Sequence, residues 1–398
     1  MSVTAADGFV AAGIASGIKA SGRPDLALVA STTPATTTAA GVFTTNLATA
    51  APVLVTKAHL APGRAGAVVL NSGNANAATG EQGRADARRM CALAASGLGL
   101  ETSAVLVCST GLIGIPMPMA PVEAGIPLLV AALAAGPDAG GAAAEALLTT
   151  DTVRKEAVAR LDIGAVRATV GGMAKGAAML APSMATMLAV LTTDAAVQPV
   201  ALRRALQLAV ADTFNALCVD ACTSTNDTVL VLANGVAGNR PVSTHGPAFH
   251  ALVDALTDVC GSIAHQMAAD AEGATKLATL NVRGGRSESD ARRAARAVAS
   301  SQLVQCSLYG CDPYWGRVLS ELGASGAYID QELVSISYNG VVVCRDGIAA
   351  VHDEAKLAEL MKGREIRIDC DLGVGQCEAT MLFTDLTHAY VDENLGTS

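Results

Sequence analysis

Between Lys175 and Asp194 the chain carries no charge, and the run from Gly176 to Thr193 is built from small, aliphatic and hydroxyl residues around Pro182. Such a run has to leave water, either in a bilayer or in the protein's own core. A second uncharged stretch, Thr102 to Val122, poses the same choice. A spanning helix needs about 20 predominantly apolar residues, usually with aromatic anchors at its ends. Neither stretch has an aromatic residue, and the second contains Pro116, Pro118 and Pro121 as well as Gly111 and Gly114. The chain is 51% hydrophobic with a mean hydropathy of +0.40, yet only 3% aromatic, so Ala and Gly supply most of its apolar character. Both runs therefore read as protein core, not as membrane spans.

The 398 residues suggest two or three domains with room for a large core. A net charge of −9, with no Lys/Arg-rich block, argues against nucleic acid as a partner, because phosphate binding needs a basic footprint. Disorder is excluded by high hydrophobicity and low charge. The ten cysteines are scattered without a C-x-x-C pair or a His at zinc spacing, as expected of reduced thiols in a cytoplasmic protein. The start of the chain lacks a basic segment followed by an apolar run, so no signal peptide is expected.

The pattern along the chain mixes helix and strand. Ala67 to Leu70 reads as a strand running into the turn-formers Asn71 to Asn76, and Glu81 to Leu98 as a helix. Val105 to Cys108 reads as a strand ending at Ser109-Thr110-Gly111. Ala131 to Ala146 is expected to be a helix interrupted at Gly136-Pro137-Asp138. Leu202, Leu206, Ala209, Val210, Thr213 and Leu217 share one helical face, as do Phe249, Leu252, Leu256, Val259, Ile263 and Met267. Val334, Ile336 and Tyr338 alternate into Asn339-Gly340, a hairpin signal, before Val341 to Cys344. Cys377, Ala379, Met381 and Phe383 mark a further strand. Helices interleaved with antiparallel-looking strands favour a layered α+β fold. No G-x-G-x-x-G or Walker sequence is present, and there is no internal repeat.

The segment richest in chemistry is Gly171-Gly172-Met173-Ala174-Lys175-Gly176, followed by Leu180-Ala181-Pro182-Ser183-Met184-Ala185-Thr186-Met187-Leu188. It is a Gly-rich stretch with one Lys, a Pro-restricted turn, and a Thr heading an apolar strand, Met187 to Leu191. If the chain is cut just before that Thr, its freed α-amine can serve as the base for its own hydroxyl. Such an amine has a reference pKa of about 7.7–8.0, suited to accept and return a proton near neutral pH. By itself the pattern reads first as an ordinary buried strand.

The run Lys175-Gly176 … Ala181-Pro182-Ser183-Met184-Ala185-Thr186-Met187-Leu188 resembles the self-cleavage motif of the ornithine acetyltransferase (glutamate N-acetyltransferase) family of arginine biosynthesis. Matching stretches follow in order: Gly17-Ile18-Lys19, Gly41 to Asn46, Asn71 to Gly80, Cys108 to Gly114, Thr149 to Thr152, Thr223 to Thr228, Asp270 to Lys276 and Asp312 to Arg317. The resemblance implies an α+β fold of the ornithine acetyltransferase and DmpA-like type, in layers of sheets and helices. It implies self-cleavage between Ala185 and Thr186, giving an α chain of residues 1–185 and a β chain of 186–398 that stay intertwined, two of each assembling. It further implies that Thr186 takes the acetyl group from N2-acetyl-L-ornithine and passes it to L-glutamate in a ping-pong reaction.

By the same resemblance, Thr110 and Gly111 stabilise the oxyanion, a role suited to a hydroxyl and a backbone N–H fixed at a strand end. Thr149, Lys175, Thr186, Glu272, Asn394 and Ser398 are the implied substrate contacts. Lys175 suits a substrate carboxylate and Glu272 an amino group, since a zwitterion needs both signs in its pocket. On its own, Lys175 reads as a solvated loop lysine and Glu272 as a surface carboxylate. The tail is a residue shorter than usual in the family and lacks its aromatic. Tyr314 stands where the family has Asn, and Gln305 where a Lys is common. No metal or other cofactor is implied, though acetyl-CoA is a possible co-substrate. None of the six histidines falls in these motifs. Two other readings stand beside this one: an aminopeptidase or amidase with the same nucleophile, and a non-catalytic alanine-rich structural protein.

Overall fold

The computed structural model describes residues 2–180 and 187–396, with strands running β1 to β16 in chain order. The chain forms two compact units. The first comprises Met1–Gly176, Ser183–Phe214 and Thr223–Met267, the second Ala177–Pro182, Asn215–Cys222 and Ala268–Ser398.

The first unit holds two sheets. One has the order β1 (Phe9–Ile14), β2 (Leu26–Ser31), β4 (Ala67–Asn71), β5 (Val105–Ser109), and the other β3 (Thr38–Phe43), β10 (Thr228–Ala233), β8 (Leu188–Thr193), β7 (Val166–Lys175), β6 (Lys155–Ile163). Side chains alternate across a strand, so β2 sends Leu26 and Leu28 to one face and Ala27 and Val29 to the other. Leu26 and Leu28 join Met90 and Cys91 of the helix Gly80–Leu98 and Ile126 and Leu129 of the helix Met119–Ala131. Ala27 and Val29 join Leu188, Val190, Leu230 and Leu232 of the second sheet and Leu147 of the helix Pro137–Leu147. Beyond the second sheet, Gly172 lies against Val259 and Ile263 of the helix Pro247–Ala269, where a Cβ would meet both side chains. The unit is thus layered helix, sheet, sheet, helix. Strands buried on both faces read as continuous apolar runs, which is how β8, buried at every residue, produced the uncharged stretch. No helix among the described residues is long and apolar enough to cross a membrane.

The second unit carries one sheet, ordered β14 (Ile348–Ala349), β13 (Val341–Arg345), β12 (Ser335–Tyr338), β15 (Glu365–Asp371), β11 (Leu277–Gly285), β16 (Cys377–Thr384), β9 (Leu217–Cys218). Leu280, Val282, Ile336 and Ile368 form a core with Ala294, Val298, Val304 and Leu322 of the helices Glu288–Ala299, Gln302–Tyr309 and Trp315–Ala324. The β12–β13 hairpin turns at Asn339 and Gly340, both at positive φ (49° and 81°), as its sequence required.

The α+β expectation holds, with three adjustments. The interruption between Ala131 and Ala146 falls at 132–136, and Pro137 opens the next helix, where a missing N–H costs nothing. The helix carrying Leu202 ends at Ala211; the Thr213 hydroxyl caps the Ala209 carbonyl, and Leu217 enters β9 instead. Several pairs are parallel, namely β4/β5, β8/β10, β11/β15 and β9/β16. All ten cysteines are free, with burial holding the Cys91 thiol up at about 12.

Candidate active site

The first candidate site lies at the head of β8. Lys175, the last residue of β7, pairs in register with Leu188, and Thr228, the first residue of β10, pairs with Leu188 from the other side. Met187, just ahead of the strand, is clamped twice: its N–H donates to Asp227 Oδ1 at 3.0 Å, and its carbonyl accepts from the Thr228 N–H at 3.1 Å. Thr186 and Ala185 lie outside the described residues, as does Ser398. Asp227 is fully buried. Burial pushes its carboxyl well above the ordinary range, against the opposing pull of the Met187 N–H, Ser224 and the Lys175 charge.

Lys175 is not a solvated loop residue. It is 3% exposed and ends a strand, because a second carboxylate, Asp151, draws it in. Asp151 Oδ2 is 3.9 Å from Lys175 Nζ, and Oδ1 is 2.6 Å from Lys155 Nζ. The same carboxylate accepts the Gly176 N–H at 2.7 Å and the Thr149 N–H at 3.1 Å. Burial alone would raise the Asp151 carboxyl, but Lys175, Lys155 and the Gly176 N–H outweigh it and hold it at about 2. Thr149 and Lys175, two residues expected to contact substrate, are thus brought together by a residue given no role above. Lys19 borders the cluster, donating to the carbonyl of Leu148 at 2.6 Å. Its ammonium is lowered to about 8, first by burial and then by the Arg23 charge.

The loop after β5 is the second element. Thr110 is 3% exposed, and its N–H bonds the Asn71 carbonyl at 3.0 Å. Gly111 has φ +131°, and a Cβ there would run into the backbone of Gly73 and Asn74, so the turn accepts only glycine. Asn226 holds the loop to the rest of the unit. Its Nδ2 donates to the carbonyls of Ala75 (2.6 Å) and Ser109 (2.9 Å). Asn226 and Asp227, neighbours just ahead of β10, therefore fix the Thr110 loop and the head of β8 respectively.

Glu272 and Asn394 belong to the second unit. Glu272 is 8% exposed, not a surface carboxylate, and its Oε2 accepts from Asn394 Nδ2 at 2.8 Å. Asn394 also donates to the Tyr390 carbonyl, closing the helix His388–Glu393. That helix rests on Gly273 at φ +63°, where a Cβ would meet the Tyr390 and Ala389 backbone. The Tyr390 hydroxyl reaches Asp220 Oδ2 at 3.2 Å, and the Met179 N–H reaches the same oxygen at 2.5 Å. The unit thus brings two expected substrate contacts together. No group of residues suited to hold a metal occurs among the described residues.

A family model described as the ArgJ family matches residues 10–396. The chain belongs to the ArgJ family. The arginine biosynthesis bifunctional protein ArgJ of Symbiobacterium thermophilum is 49% identical over 394 residues, covering 98% of this chain and 97% of that protein. The protein of the same name from Mycobacterium tuberculosis H37Rv is 49% identical over 398 residues, covering 98% and 95%. Among solved structures, ornithine acetyltransferase from Mycobacterium tuberculosis complexed with ornithine shares 45% identity. It covers 46% of this chain and 95% of that one, with a TM-score of 0.42.

Two residues depart from the pattern expected of an ArgJ-family chain. Gln305 is buried, its Nε2 donating to the Val219 carbonyl at 2.6 Å, so a neutral amide fills the position without the cost of burying a charge. Tyr314 is exposed and stacks under the Arg317 guanidinium at 5.8 Å. The residues that sequence reasoning passed over are Asp151, Asn226 and Asp227. All three sit inside family-like stretches, and the available signal was a polar residue placed directly beside a buried apolar run.

Proposed function

We propose that this ArgJ-family enzyme transfers the acetyl group of N2-acetyl-L-ornithine to L-glutamate, in arginine biosynthesis, through an acetyl-Thr186 intermediate. The chain first cuts itself between Ala185 and Thr186. The freed amine of Thr186 takes the hydroxyl proton as the oxygen attacks the acetyl carbon, and Thr110 and Gly111 receive the oxyanion. Ornithine leaves with the returned proton, and glutamate repeats the sequence in reverse. Thr149, Lys175, Glu272, Asn394 and Ser398 bind the amino-acid substrates, Lys175 facing a carboxylate and Glu272 an amino group. The scheme uses no cofactor, and acetyl-CoA serves as a second donor, in keeping with the word bifunctional in the names of its relatives. The two cleaved chains stay together as α2β2 in the cytoplasm.

The observation that carries this reading is the setting of Met187. The residue following the nucleophile is clamped at the head of a fully buried strand, between Lys175 on one flank and Asp227 and Thr228 on the other. A rigid mount of this kind is what a nucleophile held for in-line attack requires. β8 and β10, which follow residue 185, share a sheet with β3, β6 and β7, which precede it, so a cut there leaves the chains interleaved.

Purified protein run on a denaturing gel is expected to give two bands, the second beginning at Thr186, and to move acetyl from N-acetylornithine to glutamate. Thr186→Ala is expected to stay intact and inactive. Free acetate or cleaved peptide without acetylglutamate would make the enzyme a hydrolase, and one intact inactive wild-type band would remove the enzymatic reading altogether.

A further inference from the structure

One firmly held cation of the first unit has no part in the scheme above. Lys19 ends a segment, 16–19, that wraps the carboxylate of Asp25. That carboxylate is fully buried and accepts the N–H groups of Ser16 (2.7 Å), Gly17 (3.1 Å), Ile18 (2.7 Å) and Lys19 (3.0 Å), together with the Ser16 hydroxyl. The Lys19 stem lies over Gly73, where a Cβ would come within 3.0 Å of Lys19 Cγ. Its Nζ donates to the carbonyls of Pro24 (2.8 Å) and Leu148 (2.6 Å).

Carbonyls hold an ammonium in place without cancelling its charge, and an ammonium has three donors, one more than these two carbonyls take. The charges felt at Lys19 are Arg23 and Lys175 of like sign, and Asp25 and Asp151 of opposite sign. Lys155, paired with Asp151, adds another cation. In this cluster, four cations therefore stand against two carboxylates. A cationic surplus on a fixed frame suits an anionic ligand. Arg23 is exposed, where water screens it, whereas Lys19 is half-buried, where a charge-assisted hydrogen bond is stronger.

The location says which anion. Lys19 grips the Leu148 carbonyl, Arg23 the Thr149 carbonyl at 3.1 Å, and Lys175 faces Asp151. The ammoniums of Lys19 and Lys175 thus attach to the two ends of one short segment, 148–151, which carries Thr149. The two substrates share an α-carboxylate, assigned above to Lys175. They differ at the far end of the side chain, an ammonium in N-acetylornithine and a second carboxylate in glutamate. Only the second calls for a further cation. We propose that Lys19 receives the side-chain carboxylate of glutamate and so selects the acceptor of the acetyl group. This rests on the reading above, which makes glutamate that acceptor. Burial and Arg23 hold the Lys19 ammonium down at about 8, so it is charged at neutral pH, and an incoming carboxylate offsets both.

Lys19→Met keeps most of the stem and removes the charge. In full ping-pong kinetics, kcat/KM for glutamate is expected to fall at least tenfold further than kcat/KM for N-acetylornithine, which reports the first half-reaction alone. The preference for glutamate over glutamine is expected to shrink by a similar factor, because a neutral amide never used the cation. A purely structural role lowers both substrates together and leaves that preference in place; a difference below tenfold therefore overturns the proposal. A loss seen only with acetyl-CoA as donor would seat that donor's phosphates at Lys19 and overturns it too. If the variant fails to fold or to cleave, the wild type decides. A preference for glutamate over glutamine above about tenfold supports the proposal, and a smaller one overturns it. A wild type that moves no acetyl to glutamate refutes the underlying reading instead, so the two failures are distinct.

Discussion

Lys155 and Asp151 form an ion pair at 2.6 Å with both side chains fully withdrawn from solvent. The same carboxylate receives Thr149 and Gly176 and faces Lys175. A buried charge is tolerated only with such company, since desolvation costs several kcal/mol per ion. The loop at 149–151 and the end of β7 are in this way locked to one another.

Removing half of that pair should be expensive. Asp151→Asn leaves the Lys155 ammonium without its carboxylate and is expected to lower stability by about 3–5 kcal/mol in urea unfolding. Adding Lys155→Met should recover most of the loss. A single-variant cost under about 1 kcal/mol would show that the pair does not hold the fold.

Acid should act through the same group. The Asp151 carboxyl is held at about 2 in the folded protein, below its unfolded value of about 3.9. A depressed carboxyl stabilises above the unfolded pKa and loses that contribution as pH falls. Stability measured from pH 5 downward is therefore expected to drop by about 2 kcal/mol between roughly pH 4 and pH 2 on this account. The drop should flatten in Asp151→Asn; an equally steep fall in the variant would assign it to other groups.

Asn226 should act on turnover more than on binding. Asn226→Ala strands the carbonyls of Ala75 and Ser109 and loosens the Thr110 loop, and is expected to cut kcat by roughly tenfold to a hundredfold with little change in KM. Asn226→Asp puts a carboxylate against those two carbonyls and should be worse. Steady-state kinetics at saturating N-acetylornithine tests this, and a change confined to KM would refute it.

Glu272 and Asn394 should behave as one unit. Asn394→Ala and Glu272→Gln are each expected to raise KM for N-acetylornithine, by roughly tenfold for the second. Because they share a hydrogen bond of 2.8 Å, the double variant should be little worse than Glu272→Gln alone. Additive effects would mean that the two side chains meet substrate independently.

Much of this was legible in the chain itself. The β12–β13 hairpin followed from Asn339-Gly340, because few residues accept two positive φ values. The helices bearing Met90 and Val259 followed from their apolar spacing. Boundaries at 132–136 and at Ala211 were missed, since Pro and Thr can either end a helix or begin one, depending on which backbone groups lack partners.

Sequence by itself determined the α+β class, the family, and the candidate residues, because periodicity and local motifs are properties of the chain taken in order. Tertiary structure alone decided which of them are buried and what they face. Lys175 and Glu272 look like solvent residues in one dimension and are nearly dry in three. The reason is that their partners, Asp151 and Asn394, lie 24 and 122 positions away. Asp227 owes its significance to Met187, 40 residues upstream and just ahead of β8, whose amide it holds. Long-range pairing of charges and amides is set by sheet register, and register is fixed only when the layers pack.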